Sequence, residues 1–329
     1  MKCTNRPTKF SIILLTIILT TNICGCGQES YSFQYDSKYD VSNFQVVNVP
    51  SKSVAKAFAS ELCVVSDDIM NDETVDMSQA TSAVLFDVER NEVLYAKNAH
   101  QQLYPASLTK ILTAYVALKY GKLDQELIAS NSVNITEEGA QLCGLKSGDK
   151  MTLSQALHIL LMLSANDVAM LIAENVGGSV DDFMDLMNEE AHALGATNTH
   201  FANPHGLTAN DHYTTAYDLY LIFNAAIQNE TIREILSMTN YSTVYYDKKG
   251  KAKELSFQTT NRYIRGEYKA PDNITVLGGK TGTTNAAGHC LMLLSKDASG
   301  DLYISIILQS LKRDYLYSEM TDLLNEIGK

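Results

Sequence analysis

Three short motifs, in fixed order, limit what this chain can fold into. Ser107-Leu108-Thr109-Lys110 opens an apolar helical stretch that runs through Ile111-Leu112-Thr113-Ala114-Tyr115-Val116-Ala117-Leu118. Ser164-Ala165-Asn166 sits at the junction of two helical segments, after Leu160-Leu161-Met162-Leu163. Lys280-Thr281-Gly282 lies far downstream in the β-like run from Ile274 to Thr283. Each motif alone has a plain reading: an amphipathic helix with an exposed Ser and Lys, a capped helix start, a hairpin end. The three together, each in a matching context, point to chemistry.

A serine hydroxyl is a poor nucleophile at neutral pH, so a neighbour must take its proton. Positions i and i+3 of a helix share a face, which lets Lys110 reach back one turn to Ser107. Lysine can do this only if burial or a nearby cation lowers its pKa. The apolar run after Lys110 supplies the burial, and Lys280 would be the cation. Pro105 suits the start of such a helix, where the dipole favours developing negative charge. The glycines Gly278, Gly279 and Gly282 stand where a bound backbone must come close, and a peptide can add to such an edge as an extra strand.

In this order the motifs resemble those of the D-alanyl-D-alanine carboxypeptidases, the low-molecular-mass penicillin-binding proteins of the Ser-x-x-Lys peptidase family. The runs Leu194–Leu207 and Tyr213–Leu219 also look like family segments, and the resemblance extends from about Met77 to the C-terminus. It implies an α/β fold of the penicillin-binding-protein and β-lactamase type: a five-stranded antiparallel sheet flanked by helices, with a helical subdomain. It implies Ser107 as nucleophile, Lys110 as base and Ser164 as proton relay to the leaving group. Asn166 would bind the substrate amide, and Lys280, Thr281, Gly282 and Thr283 the substrate carboxylate and backbone. The N–H groups of Ser107 and Thr283 would form the oxyanion hole. The implied reaction removes the terminal D-alanine from peptidoglycan stem peptides through an acyl-enzyme, with β-lactams acylating the same serine. It needs no metal or cofactor.

Related activities share these motifs. A DD-endopeptidase uses the same set. A β-lactamase of the class with a deacylating Glu needs a Glu-x-x-Leu-Asn pattern, absent from Phe201–Leu207, and the middle motif is Ser-Ala-Asn where that class has Ser-Asp-Asn. A non-catalytic wall-binding or β-lactam-sensing lipoprotein would not need Ser107, Lys110 and Lys280 together. His205, His212 and His289 read as polar loop or structural residues. The sequence has no His-Glu-x-x-His, no Gly-x-Ser-x-Gly, and no Cys-x-x-Cys beyond the leader.

The N-terminus reads as an export signal. Lys2, Arg6 and Lys9 precede an apolar run from Phe10 to Leu19 that is short for a membrane span. Ile23-Cys24-Gly25-Cys26 resembles a bacterial lipobox, which makes residues 1–25 a signal peptide and Cys26 the lipid attachment site. An uncleaved anchor and simple secretion are the alternatives. Residues 26–77 read as a polar tether, with a short helix at Ser53–Val65, and residues 78–329 as the peptidase domain. Many family members continue into a β-rich domain and an amphipathic membrane helix. By that resemblance an N-terminal lipid would take over anchoring outside the membrane. With Cys26 acylated, Cys63, Cys143 and Cys290 form no disulfide framework. The net charge of −12 argues against nucleic-acid partners and against an electrostatic grip on anionic lipid.

Within the domain, strands are expected at Ser82–Asp87, Glu92–Ala96, His289–Ser295 and Leu302–Gln309. Helical patterns fill most of Ser107–Asn229, a hairpin turns at Asp247–Gly250, and an amphipathic helix closes the chain at Tyr317–Ile327. An arginine often precedes that helix in the family, and Arg313 lies near the position.

Overall fold

The computed structural model describes residues 61–70 and 74–329. The leader, Cys26, much of the tether and residues 53–60 of the helix expected at Ser53–Val65 lie outside them. Residues 61–65 are not helical. Everything below belongs to one compact unit, Ala57–Lys329.

The chain enters a hairpin of β1 (Ala80–Asp87) and β2 (Glu92–Lys97), turning through Asn91 at φ +58°. A 3₁₀ turn, Ala106–Thr109, leads into α1 (Lys110–Tyr120). Short strands β3 (Glu126–Ile128) and β4 (Lys150–Thr152) flank a long loop. Then come α2 (Leu153–His158), a π-turn (Ile159–Leu163), α3 (Asn166–Gly177) and α4 (Val180–Ala193). Helices α5 (Ala216–Ala226) and α6 (Glu230–Ser237) follow, then the hairpin β5 (Asn240–Tyr246) and β6 (Ala252–Gln258). Strands β7 (Thr275–Thr284), β8 (Gly288–Lys296) and β9 (Leu302–Ser310) precede the closing helix α7 (Arg313–Leu324).

The main sheet is five-stranded and antiparallel, in the order β2-β1-β9-β8-β7, as expected from the sequence. Both chain ends build it, so strands made early and late pair directly, as in Leu85 opposite Ser305. Its middle strands are buried on both faces, which explains why Leu291-Met292-Leu293-Leu294 and Ile304–Leu308 read as near-continuous apolar runs. Val84, Phe86, Met292, Ile304 and Ile306 belong to the core shared with α1 and α5. Leu85, Leu291, Leu293 and Ile307 face a second core with Leu316, Met320 and Leu323 of α7. The closing helix starts four residues before Tyr317. Its first turn, Arg313-Asp314-Tyr315, is exposed and carries no apolar period for a sequence reading to find.

The expected helical stretch is interrupted by β3 and β4, which join the hairpin in a second sheet ordered β3-β4-β5-β6. Each of these two strands has three residues, of which one is buried, too short for a period-2 signal. Residues before β1 already join the core. Cys63 and Val65 are buried, the Cys63 N–H donates to the Tyr220 hydroxyl at 2.9 Å, and the Tyr217 hydroxyl donates to the Cys63 carbonyl at 3.0 Å.

That arrangement predicts the outcome of Tyr220→Phe. Tyr220 is fully buried and tilted against Phe86, so the ring would stay while the Cys63 N–H lost its acceptor. An unpaired buried donor costs about 1–3 kcal/mol. Urea unfolding of the variant should show a loss of that size; unchanged stability would mean that the segment around Cys63 is not docked in solution.

Candidate active site

The cleft is built on a strained turn. Ala106 has φ +48°, in the left-handed region where a non-glycine residue is costly. The Thr109 hydroxyl donates to its carbonyl at 2.8 Å. Two glycines close on the same spot. A Cβ on Gly206, itself at φ +89°, would stand 1.9 Å from the Ala106 carbonyl oxygen, and one on Gly282 would stand 3.0 Å from the Ser107 nitrogen. Backbone from the 203–207 loop and from β7 therefore packs directly against the turn that presents Ser107.

Lys110, the next residue after this turn, is fully buried. Its Nζ lies 2.9 Å from Ser107 Oγ and donates to Asn166 Oδ1 at 2.6 Å and to the His205 carbonyl. Burial pushes its pKa well below the usual lysine value, and the neighbouring Lys280 charge pushes the same way against a smaller opposing pull from Asp167. Lys280 is also fully buried, and burial pulls it down to about 7. Its Nζ donates to Ser164 Oγ at 2.8 Å and to the Thr281 carbonyl at 2.8 Å.

The π-turn ends at Ser164 in the left-handed conformation, φ +68°. This conformation turns the chain sharply into α3. The side chains of Ser164 and Asn166 meet the two lysines, and no side chain caps α3 at Ala165. The capping alternative is therefore not the arrangement found here. Thr281 Oγ1 lies 2.6 Å from Thr260 Oγ1, and Thr283 Oγ1 lies 3.1 Å from His289 Nδ1.

These groups surround a cavity of about 560 Å³. Ser107, Ser164, Asn166, Thr281, Gly282 and Thr283 all line it, while Lys110 and Lys280 are fully buried. The residues 139–141 rim one side, and Arg262, Arg265 and Arg313 stand along another. Among the described residues no Asp or Glu lines it.

Several framework groups carry no motif. Asp167, almost fully buried, accepts from the N–H groups of Cys143, Gly144 and Leu145 at 2.9, 2.7 and 2.9 Å and so fastens the rim loop to the Ser-Ala-Asn turn. Gln141 takes the Asn166 N–H on its carbonyl at 2.8 Å. The His212 Nδ1 accepts from Ala202 N at 3.0 Å, and its Nε2 lies 2.9 Å from Thr109 Oγ1. The Thr109 proton is already given to Ala106, so Nε2–H donates and the ring is neutral. Burial agrees, pulling His212 down to about 4 and His205 to about 3. The sequence signal for this framework was the family-like run Leu194–Leu207; the Asp167 and Thr260 roles had none.

Chemically, the arrangement offers a hydroxyl beside a buried amine of depressed pKa, a second lysine–serine pair, and an open strand edge. Comparison with known proteins agrees with it. The chain is 34% identical over 227 residues to the D-alanyl-D-alanine carboxypeptidase DacF of Bacillus subtilis, covering 66% of this chain and 54% of that protein. It is likewise 34% identical to DacA of Escherichia coli, over 66% of this chain and 53% of that one. The chain thus spans about half the length of the curated relatives it matches. Its fold matches the Streptomyces K15 DD-transpeptidase with a TM-score of 0.71 at 27% identity, covering 77% of this chain and 98% of that one. The model of the peptidase S11 family, D-alanyl-D-alanine carboxypeptidase, matches residues 69–310, and with the sheet, the cleft and these relatives in agreement the chain belongs to that family.

Proposed function

We propose that this protein is a serine-type D-Ala-D-Ala carboxypeptidase that removes the terminal D-alanine from peptidoglycan stem peptides and is acylated by β-lactams. One observation carries the reading: Ser107 Oγ lies 2.9 Å from a buried Lys110 amine whose other contacts are two carbonyl oxygens. A neutral amine has two N–H bonds and one lone pair. Asn166 Oδ1 and the His205 carbonyl use the first two, which leaves the lone pair for the Ser107 proton.

Ser107 then attacks the penultimate D-Ala carbonyl while Lys110 takes its proton. The N–H groups of Ser107 and Thr283 hold the oxyanion. Ser164, bonded to Lys280, relays a proton to the departing amine of D-alanine. Asn166 binds the substrate amide, Thr281 takes the terminal carboxylate near Lys280, and Thr283 adds a second hydrogen bond to it when its hydroxyl proton is free. Water then cleaves the ester. Peptide release and penicillin release differ in one respect: among the described residues no carboxylate lines the cavity to activate water against a bulky penicilloyl group, so that adduct persists. The same site would serve a DD-endopeptidase, and release of free D-alanine from a pentapeptide decides between them.

Labelled penicillin should attach to Ser107, and Ser107→Ala should abolish the adduct; peptide mapping to another serine would overturn the assignment. Lys110→Ala should slow acylation at least about a hundredfold, the usual contribution of a positioned base.

The pH dependence follows from the lysine pair. Lys110 must be neutral to act, so acylation falls as pH drops through its depressed pKa. Lys280 helps hold that pKa down. Lys280→Met should let Lys110 bind its proton more readily and move the acid limb of the acylation profile to higher pH. A limb that stays in place, with only the plateau lowered, would mean that Lys280 does not tune Lys110.

For location, we propose cleavage before Cys26, lipid attachment there, and a polar tether leading to the folded domain. The basic leader and the Ile23-Cys24-Gly25-Cys26 sequence support this. No helix among the described residues is long and apolar enough to cross a membrane. Mass spectrometry of the membrane fraction should find acylated Cys26 as the first residue, and Cys26→Ser should release or mislocalise the protein. An intact Met1 in that fraction would refute the anchor.

A further inference from the structure

Thr283 and His289 form a cross-strand pair on β7 and β8, directly opposite one another in register. Thr283 Oγ1 and His289 Nδ1 are 3.1 Å apart, and both residues line the cleft. The sheet is altered at this point. The pairing of β8 with β9 slips by one residue between His289, opposite Ser310, and Leu291, opposite Ile307. Gln309, in the bulged stretch of β9, has φ +56°. Bulges at the rim of a sheet re-aim the side chains beside them.

We propose that His289 is a positioning residue that sets the direction of the Thr283 hydroxyl and thereby decides how strongly the site holds a carboxylate at the end of its substrate. A hydroxyl has one proton to give. When the His289 ring is neutral with a bare Nδ1, that nitrogen takes the Thr283 proton. Thr283 Oγ1 then presents only lone pairs to the cleft, which repel a carboxylate. When the ring is protonated, Nδ1–H donates to Thr283 Oγ1 and the hydroxyl proton is free to reach a carboxylate oxygen, with a positive charge behind it.

The charged groups facing His289 come from the first turn of α7: Arg313 disfavours its protonation and Asp314 favours it, while burial, the largest influence, disfavours it. On β7, Thr283 brings no charge, and Lys280 is buried against Ser164. The net result is a lowered pKa, so the neutral ring prevails near pH 7 and acidification switches the hydroxyl.

The inference rests on the carboxypeptidase reading, and the test separates the two. It measures kcat/KM for a pentapeptide ending in D-Ala-D-Ala carboxylate and for the same peptide ending in the amide. Taking their ratio removes the Lys110 titration, which affects both substrates alike. As pH falls from about 7.5 through the lowered pKa of His289, the ratio should rise roughly tenfold in the unmodified protein, the size of one charge-assisted hydrogen bond, mainly through KM. Lys280 also changes charge in this range, so the comparison is with His289→Phe and His289→Gln, which keep Lys280 and should flatten the rise. The side chain is only partly buried, and the Gln variant checks that any flattening is not a packing effect of Phe. Variants whose ratio follows the unmodified protein across pH, or an unmodified protein whose ratio does not rise, would overturn the inference alone. Failure to release D-alanine from the carboxylate peptide and D-alaninamide from the amide would overturn the carboxypeptidase reading and this inference with it.

Discussion

The site depends on one buried amine. An ammonium sealed from water costs several kcal/mol unless it is paired with a charge, and the three atoms that Lys110 touches are a hydroxyl and two neutral carbonyl oxygens. The cheaper state is the neutral amine, which is also the only state that can accept a proton. Stability and reactivity therefore ask for the same thing. The two carbonyl acceptors come from residues 56 and 95 positions away in sequence, so the amine is poised only when the helix carrying Lys110, the Ser-Ala-Asn turn and the His205 loop have all assembled.

That assembly explains the odd backbone around it. The left-handed Ala106 stores strain on the order of 1–3 kcal/mol, and it persists because Gly206 and Gly282 leave no space for the turn to relax. Thr113 adds a further tie, its hydroxyl donating to the Pro204 carbonyl at 2.6 Å. His212 also reaches the turn, through Thr109. Because both histidines of this framework are held neutral, acid should loosen it. The unfolded chain takes up protons near the ordinary value of 6.5, whereas folded His205 and His212 do so only at about 3 and about 4. Their contribution to stability is full above 6.5 and is lost progressively as pH falls through that window.

Much of this was legible before any coordinates. The Ser107–Lys110 spacing already places both side chains on one helical face, and the long apolar runs at His289–Ser295 and Leu302–Gln309 already read as strands. What escaped the sequence had no side-chain pattern to betray it. The His205 contribution is a backbone carbonyl, which any residue could supply. Strands β3 and β4 are three residues each and owe their existence to partners distant in sequence. Asp167 looks like an ordinary acidic residue in the first turn of a helix; only the folded loop shows its carboxylate gathering three N–H groups.

The last constraint is electrostatic. The whole chain carries a net charge of −12, which would repel an anionic chain end, yet the cleft wall presents Arg262, Arg265 and Arg313 and, among the described residues, no acidic lining. Arg262 pairs with Glu267 at 3.4 Å and Asp314 at 3.6 Å and stands over the rings of Tyr268 and Tyr317; Arg265 also pairs with Glu267. Partly exposed pairs of this kind add little stability. Their effect is to fix where the guanidinium groups stand, and two carboxylates against three arginines leave a local positive excess. Field lines focus in a cleft walled by low-dielectric protein, so the local arrangement, and not the net charge, governs what an approaching anionic chain end meets.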